Sequence, residues 1–122
     1  MKSRYRIGFD IGGTISKYPE QMLALMRALM RSNEFEVFII TDMKREDALS
    51  SLGKNNIHIG SSHLLCADWD QHGDLCKSVL MQEHHIDIMI DDRPDYITEG
   101  VPVALLLMPR PHFPYFHATW KL

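Results

Sequence analysis

Short apolar runs recur along this chain, and each breaks off into polar or charged residues. Runs that fit buried strands lie at residues 5–9, 36–40, 57–59, 64–66, 86–90 and 103–107. An apolar run of this length, bounded by polar residues, is typical of a strand buried on both faces of a parallel sheet. The pattern therefore predicts a central sheet of mainly parallel strands, with 57–59 and 64–66 as minor strands.

Helical periodicity fills the intervals between these runs. A helix is predicted from Pro19, because proline suits the first helical turn, and another over residues 45–52, ended by Gly53. Asp74 is predicted to cap a third helix that runs to about His84. Strands that alternate with helices of this length predict βαβ units. The expected fold is α/β, a Rossmann-like three-layer sandwich around a mostly parallel central sheet.

The first helix carries an apolar stripe at helical spacing, rich in methionine. Its members are Met22, Leu25, Met26, Leu29 and Met30. Because methionine fills irregular gaps in apolar cores, we expect this stripe to face the core rather than a partner.

Composition and charge narrow the class of protein. A chain of 122 residues fits one domain, predicted over residues 1–122, and its 45% apolar and 24% charged residues are ordinary for a soluble protein. A net charge of −3 gives no indication of a basic surface for nucleic acid, so neither nucleic acid nor membrane is expected as a partner.

Cys66 and Cys76 lack the spacing of a metal or redox pair, and the N-terminal apolar stretch stops at Asp10, too soon for a signal peptide. These features favour a cytoplasmic location.

Acidic residues follow two of the predicted buried strands. Asp10 ends the run at 5–9, and Asp91 and Asp92 end the run at 86–90. Ligands bind beyond the carboxyl ends of the strands in open α/β sheets, so these three carboxylates are expected to converge. Like charges held together are costly unless a cation lies among them, and oxygen ligands suit magnesium. The sequence therefore predicts a Mg²⁺ site.

Further polar residues lie at predicted strand ends and helix starts, namely Thr14, Thr41 and Lys77. With the acids, they form the set that phosphoryl transfer requires. One carboxylate can attack phosphorus, hydroxyl and ammonium groups can hold the phosphoryl oxygens, and the remaining carboxylates can bind the metal.

In this order the residues resemble the four motifs of the haloacid dehalogenase-like (HAD) hydrolase superfamily. The first motif, DxDGT, is matched by Asp10-Ile11-Gly12-Gly13-Thr14, and the second, an apolar strand ending in Ser or Thr, by residues 37–41. The third is a lysine near a helix start, here Lys77. The fourth is an acidic pair after an apolar strand, here Ile88-Met89-Ile90-Asp91-Asp92. The resemblance covers residues 5–108.

The resemblance implies a role for each matched residue. Asp10 would be the nucleophile that forms an aspartyl-phosphate. Thr41 and Lys77 would bind the phosphoryl oxygens and support catalysis, and Gly13 and Thr14 would lie against the substrate.

The metal ligands are implied by the same resemblance. Asp10, Asp91 and the backbone carbonyl of Gly12 would bind Mg²⁺, and Asp92 would bind through water or orient its neighbour. The segments where family members insert cap domains are short here, so no sizeable cap domain is expected. The implied reaction is hydrolysis of a small phosphomonoester, a phosphorylated metabolite or a nucleotide.

One position departs from the family pattern. Its phosphatases carry a second aspartate two residues after the nucleophile, as general acid and then base, and here that position is Gly12. Losing a positioned acid typically lowers the rate about 10²- to 10⁴-fold. The resemblance therefore implies weak turnover or an acid supplied from elsewhere. The sequence leaves four candidates for such an acid: Asp42, Asp68, Asp70 and His72.

Three other functions compete with a phosphatase. Gly12 favours a catalytically impaired HAD-like domain that binds metal or phosphate or acts in regulation. Residues 9–14 also resemble the phosphate loop of sugar kinases of the actin-like ATPase fold, but those need two such domains, so the chain would be a fragment. A non-catalytic α/β domain, whose acids only cap helices and turns, is the third. A response-regulator receiver domain is excluded, because its acidic pair ends the first strand.

Overall fold

The computed structural model describes residues 4–93 and 101–106. Within them, five parallel strands form one sheet in the order β3-β2-β1-β4-β5. The strands are β1 (Tyr5–Phe9), β2 (Phe35–Thr41), β3 (Leu64–Cys66), β4 (Ile88–Asp91) and β5 (Val103–Leu106). The predicted α/β class with a parallel, Rossmann-like sheet is confirmed.

Helices lie between the strands from β1 to β4 and cover both faces of the sheet. They are α1 (Pro19–Arg31), α2 (Arg45–Lys54), α3 (Trp69–His72) and α4 (Cys76–Glu83). Successive residues of β2 point to opposite faces, as in any strand. Ile39 therefore joins a core cluster with residues of α1 and α2, whereas Ile40 joins a second cluster with Met81 of α4. The described residues thus form three layers.

The segment between β2 and β4 differs most from its prediction. Helix α2 does not end at Gly53 but continues to Lys54. Residues 57–59 form no strand, because the Ile57 backbone N–H donates to Leu52 O at 2.9 Å and so completes the end of α2. The left-handed conformation that ends the helix falls on Asn56, at φ +56°. The predicted minor strand at 64–66 is confirmed as β3.

The predicted helix from Asp74 to His84 is present as α4 but starts later than predicted, after a break in the helical segment before it. A short helix, α3, and a 3₁₀ turn over Gly73–Leu75 precede α4, which begins only at Cys76. Asp74 lies inside that turn and is not a cap. The break falls at Gly73, whose φ of +57° is unfavourable for other residues.

Strands β2 and β4 each include one more residue at their carboxyl ends than predicted.

The apolar stripe of α1 faces the core only in part. Met22 and Met26 are buried, and Leu29 packs partly buried against the same cluster. Leu25 and Met30 lie on the flanks of the helix and are 39% and 50% exposed, so the expectation for these two was wrong.

Residue 107 of the last predicted strand and everything after it lie outside the described residues. No helix in the described part of the chain has the length and apolar character needed to cross a membrane.

Candidate active site

The strand order creates a crevice beside β1. The chain runs from β1 outward to β2 and β3, then crosses to the other side of β1 to form β4. Asp10 follows β1 and Asp91 ends β4. The Asp10 backbone N–H donates to Ile90 O at 3.0 Å, which holds the two carboxyl ends side by side. A point where the strand order reverses is the usual ligand site of an open α/β sheet.

Lys77 joins the two acids. It is the second residue of α4, and only 2% of its surface is exposed. Its Nζ donates to Asp10 Oδ1 at 2.5 Å and to Asp91 Oδ2 at 3.1 Å. A buried charge is stable only when it is paired and hydrogen-bonded, and these contacts meet that condition for all three groups.

Asp92 completes a cluster of three carboxylates. One oxygen each from Asp10, Asp91 and Asp92 lies within 4.8 Å of the others. Asp91 Oδ1 accepts hydrogen bonds from the backbone N–H groups of Asp92, at 2.8 Å, and Arg93, at 3.1 Å. These bonds fix the orientation of the Asp91 carboxylate. Hard oxygen donors at this separation fit a divalent cation such as Mg²⁺.

The electrostatics of the cluster reflect its burial. Burial raises the pKa of Asp10 to about 7, with further increases from Asp91 and Asp92, against the lowering effect of Lys77. Burial also raises the pKa of Asp91, again opposed by Lys77. Burial lowers the pKa of Lys77, but the charges and hydrogen bonds of the two acids outweigh that effect and raise it. Lys77 alone therefore does not offset the cost of the acids, and a bound cation would reduce it.

The loop after β1 supports Asp10 and Asp92. The Thr14 hydroxyl is buried and donates to Asp10 Oδ2 at 3.4 Å. Gly13 has φ +76°, and a Cβ added there would collide with the Asp92 carboxylate. Its N–H donates to Ser16 Oγ at 3.1 Å. The structure thus places Gly13 and Thr14 against the acids, and their predicted contact with substrate stays a prediction.

Gly12 differs from Gly13 in its backbone conformation and in the space around it. Its φ of −66° and ψ of 123° are open to any residue. Apart from its chain neighbours, no described residue has an atom within 4 Å of a Cβ built at Gly12. Neither backbone conformation nor packing requires a glycine at this position.

Thr41 lies at the same edge of the sheet, at the end of β2, and is fully buried. Its Oγ1 accepts a hydrogen bond from the Met43 backbone N–H at 3.1 Å, which shapes the turn into α2. Thr41 is not among the described residues that line the cavity at the acids. Its predicted role in binding phosphoryl oxygens stays a prediction.

A cavity of about 260 Å³ opens at the cluster. The described residues of its lining are four acids, two bases and a glycine: Asp10, Asp42, Asp91, Asp92, Lys77, Arg93 and Gly12. Among the described residues, the lining has two more acids than bases, which favours a cation. Arg93 had not been predicted as a site residue, and Asp42 had been named only as one of four candidate acids. The signal for Asp42 was present, because it directly follows a buried strand as Asp10 does.

No protein-family model, curated protein or solved structure matches this chain.

Proposed function

We propose that this chain is a magnesium-dependent phosphohydrolase of the HAD type that acts on a small phosphomonoester. The observation that supports this most is the buried bridge from Lys77 to Asp10 and Asp91, beside Asp92 in the crevice next to β1. A metal site alone does not require a buried ammonium group between two of its acids. A phosphoryl-transfer site can use one, because negative charge on the phosphoryl oxygens must be stabilised.

Asp10 is the proposed nucleophile. One of its carboxylate oxygens attacks phosphorus, and the bond from phosphorus to the leaving oxygen breaks. Water then attacks the aspartyl-phosphate, which releases inorganic phosphate and regenerates the carboxylate. Thr14 orients Asp10 through its hydroxyl, and Lys77 stabilises charge on the transferred group.

The metal has a specific place in this proposal. Asp10, Asp91, Asp92 and the Gly12 carbonyl would hold Mg²⁺, which neutralises charge on the phosphoryl oxygens when bound. The fit is supported by the carboxylate oxygens within 4.8 Å of one another and by the excess of acids around the cavity.

The size of the cavity bears on the substrate. Its volume of about 260 Å³ lies below the range of roughly 300–1,000 Å³ found for pockets that enclose drug-sized ligands. The described residues therefore favour a phosphoryl group with a small leaving group over a whole nucleotide held in the cavity.

A second function is a binding or regulatory module, and one observation favours it. Gly12 carries no side chain at the position where the family's phosphatases place the general acid. Such a module would bind Mg²⁺ and phosphate through the same residues without turnover.

The kinase-fragment alternative is less well supported. In a phosphate loop, glycines let the backbone approach nucleotide phosphates. Here the space beside Gly13 is taken by the Asp92 carboxylate, whose charge would repel a phosphate.

The test is a panel of phosphorylated metabolites assayed for phosphate release with Mg²⁺, using the full chain and an Asp10→Asn control. Release by the parent but not by Asp10→Asn is the expected result. No release from any substrate, together with a melting temperature that rises on addition of Mg²⁺ and phosphate, would support the binding module instead.

A further inference from the structure

Asp42 lies across Asp10 from the metal-side acids. It directly follows β2, and β2 and β4 are the two neighbours of β1 in the sheet. Its side chain lines the same cavity as Asp10, Gly12 and Lys77. The proposed nucleophile is thus flanked by acids on both sides, Asp91 and Asp92 on one and Asp42 on the other.

The surroundings of Asp42 differ from those of the metal-side acids. Asp42 is exposed, and its carboxylate makes no hydrogen bond or ion pair with residues 4–93 or 101–106. The turn that carries it is held by the bond from the Met43 N–H to Thr41 Oγ1. The Asp42 carboxylate is therefore open to solvent at the cavity, on an anchored turn.

Asp42 is also close to the start of α4. Burial is the largest cause that raises the pKa of the Cys76 thiol, and the charge of Asp42 is the second. Cys76 immediately precedes Lys77, and Asp42 and Lys77 line the same cavity.

The other three candidate acids named from the sequence lie elsewhere. Asp68 accepts a hydrogen bond from the Gln71 backbone N–H at 3.1 Å and so caps α3. Neither Asp68, Asp70 nor His72 is among the described residues that line the cavity. Asp42 is the remaining candidate, because it lines the cavity together with Asp10 and Gly12.

We infer that Asp42 is the proton donor and acceptor of the reaction, in place of the carboxylate missing at residue 12. The inference rests on the proposed phosphohydrolase function. As Asp10 attacks phosphorus, protonated Asp42 gives its proton to the leaving oxygen while the phosphorus–oxygen bond breaks. The Asp42 carboxylate then takes a proton from the water that attacks the aspartyl-phosphate, and both acids return to their starting states.

The test separates the first chemical step from turnover. With Mg²⁺ present, rapid mixing measures the first release of alcohol from glycerol phosphate and from 4-nitrophenyl phosphate. In Asp42→Asn, the first step on glycerol phosphate should slow about 10²- to 10⁴-fold, because its alkoxide needs a proton. The first burst of nitrophenolate should remain within a few fold of the parental burst, because nitrophenolate needs little protonation in order to leave. Steady turnover of both substrates should fall, because the water is no longer activated.

Two further variants complete the design. Asp70→Asn makes the same charge change outside the cavity and should alter neither substrate. Adding Gly12→Asp to Asp42→Asn should restore the glycerol phosphate rate at least about tenfold, because a carboxylate returns to the cavity. If the asparagine variant does not fold, Asp42→Ser replaces it in the same measurements. Its melting temperature is compared with that of the parent.

Three results would overturn the inference. Equal loss of the first step on both substrates would show that Asp42 supports the fold of the site rather than proton transfer. No loss on either would show that another group supplies the proton. If the parent releases phosphate from neither compound nor from any metabolite, the proposed function itself fails and the role of Asp42 with it.

Discussion

The two sides of Asp10 differ in how their acids are held. On the β4 side, Asp91 is buried and bonded to Lys77 and to two backbone N–H groups. On the β2 side, Asp42 is exposed and has no bonded partner among the described residues. A fixed, buried carboxylate is suited to hold a metal, whereas an exposed one is open to solvent and to a bound substrate. In the proposed reaction the two sides would therefore have separate roles, charge stabilisation on the β4 side and proton transfer on the β2 side.

The largest effect on activity is expected from a change at Asp10, which lies between the β2 side and the β4 side. Asp10→Asn removes the proposed nucleophile, so phosphate release should fall more than about 10⁴-fold. The loss should be as large with 4-nitrophenyl phosphate as with an alkyl phosphate. Asp47→Asn, on the exposed side of α2, is the control and should keep the parental rate. Substantial turnover by a folded Asp10→Asn variant would show that the chemistry does not pass through this residue.

Lys77→Met tests the buried side. The change leaves Asp10 and Asp91 buried without their cation, and breaking a buried pair in this way typically costs about 3–5 kcal/mol. Urea unfolding in the presence of a chelator should show that loss, and added Mg²⁺ should recover part of it. Lys54→Met, at the exposed end of α2, should change stability by no more than about 0.5 kcal/mol. A similar small change for both variants would mean that the bridge contributes little.

Magnesium binding should depend on pH through Asp10. The pKa of Asp10 rises from its ordinary value of 3.8 to about 7 in the folded protein. The folded chain therefore binds more protons than the unfolded chain between these values, so metal-free stability contributed by this group falls as pH rises through that window. Mg²⁺ needs the carboxylate, so its affinity should rise over the same window and level off above it.

Thermal melting measures this dependence. The Mg²⁺-induced rise in melting temperature should be larger at about pH 8 than at about pH 6, where a proton competes for Asp10. Asp91→Asn should shrink the rise at both values, because it removes a ligand. Identical shifts for the parent at both pH values would argue against Asp10 as a metal ligand, and no shift at either would argue against the metal site.

Gly12→Asp should have the smallest effect, and it tests the exposed side. The backbone at residue 12 accepts any residue and has room for a side chain, so the variant should fold. Because Asp42 already supplies the proton in the proposed reaction, hydrolysis of alkyl phosphates should rise by less than about tenfold, and that of an aryl phosphate should not change. A much larger gain confined to alkyl phosphates would show that the parent lacks a working acid and would contradict the role of Asp42.

Much of this arrangement could be predicted from the sequence, for identifiable reasons. The strands that contribute Asp10 and Asp91 are apolar runs buried on both faces, which leave a clear pattern. Their parallel direction then brings the acids to one edge. Lys77 could be aligned by its place near a helix start, although the pieces of helix before it could not be foreseen.

Other features depend on contacts that no local pattern encodes. The end of α2 is set by Ile57, which returns a hydrogen bond to the helix instead of joining the sheet. Asp42 had the same signal as Asp10, but four candidate acids could not be separated until the cavity showed which side chains line it. The sequence also could not show that Gly13 needs its glycine and Gly12 does not.

The unconstrained backbone at Gly12 has an evolutionary consequence. A glycine codon that ends in a pyrimidine becomes an aspartate codon by one nucleotide change. Because no atom of the described residues and no positive φ stands in the way, that change meets no structural barrier among them. The described fold therefore does not require the glycine, and an aspartate at residue 12 would complete the DxDGT pattern that residues 10–14 resemble.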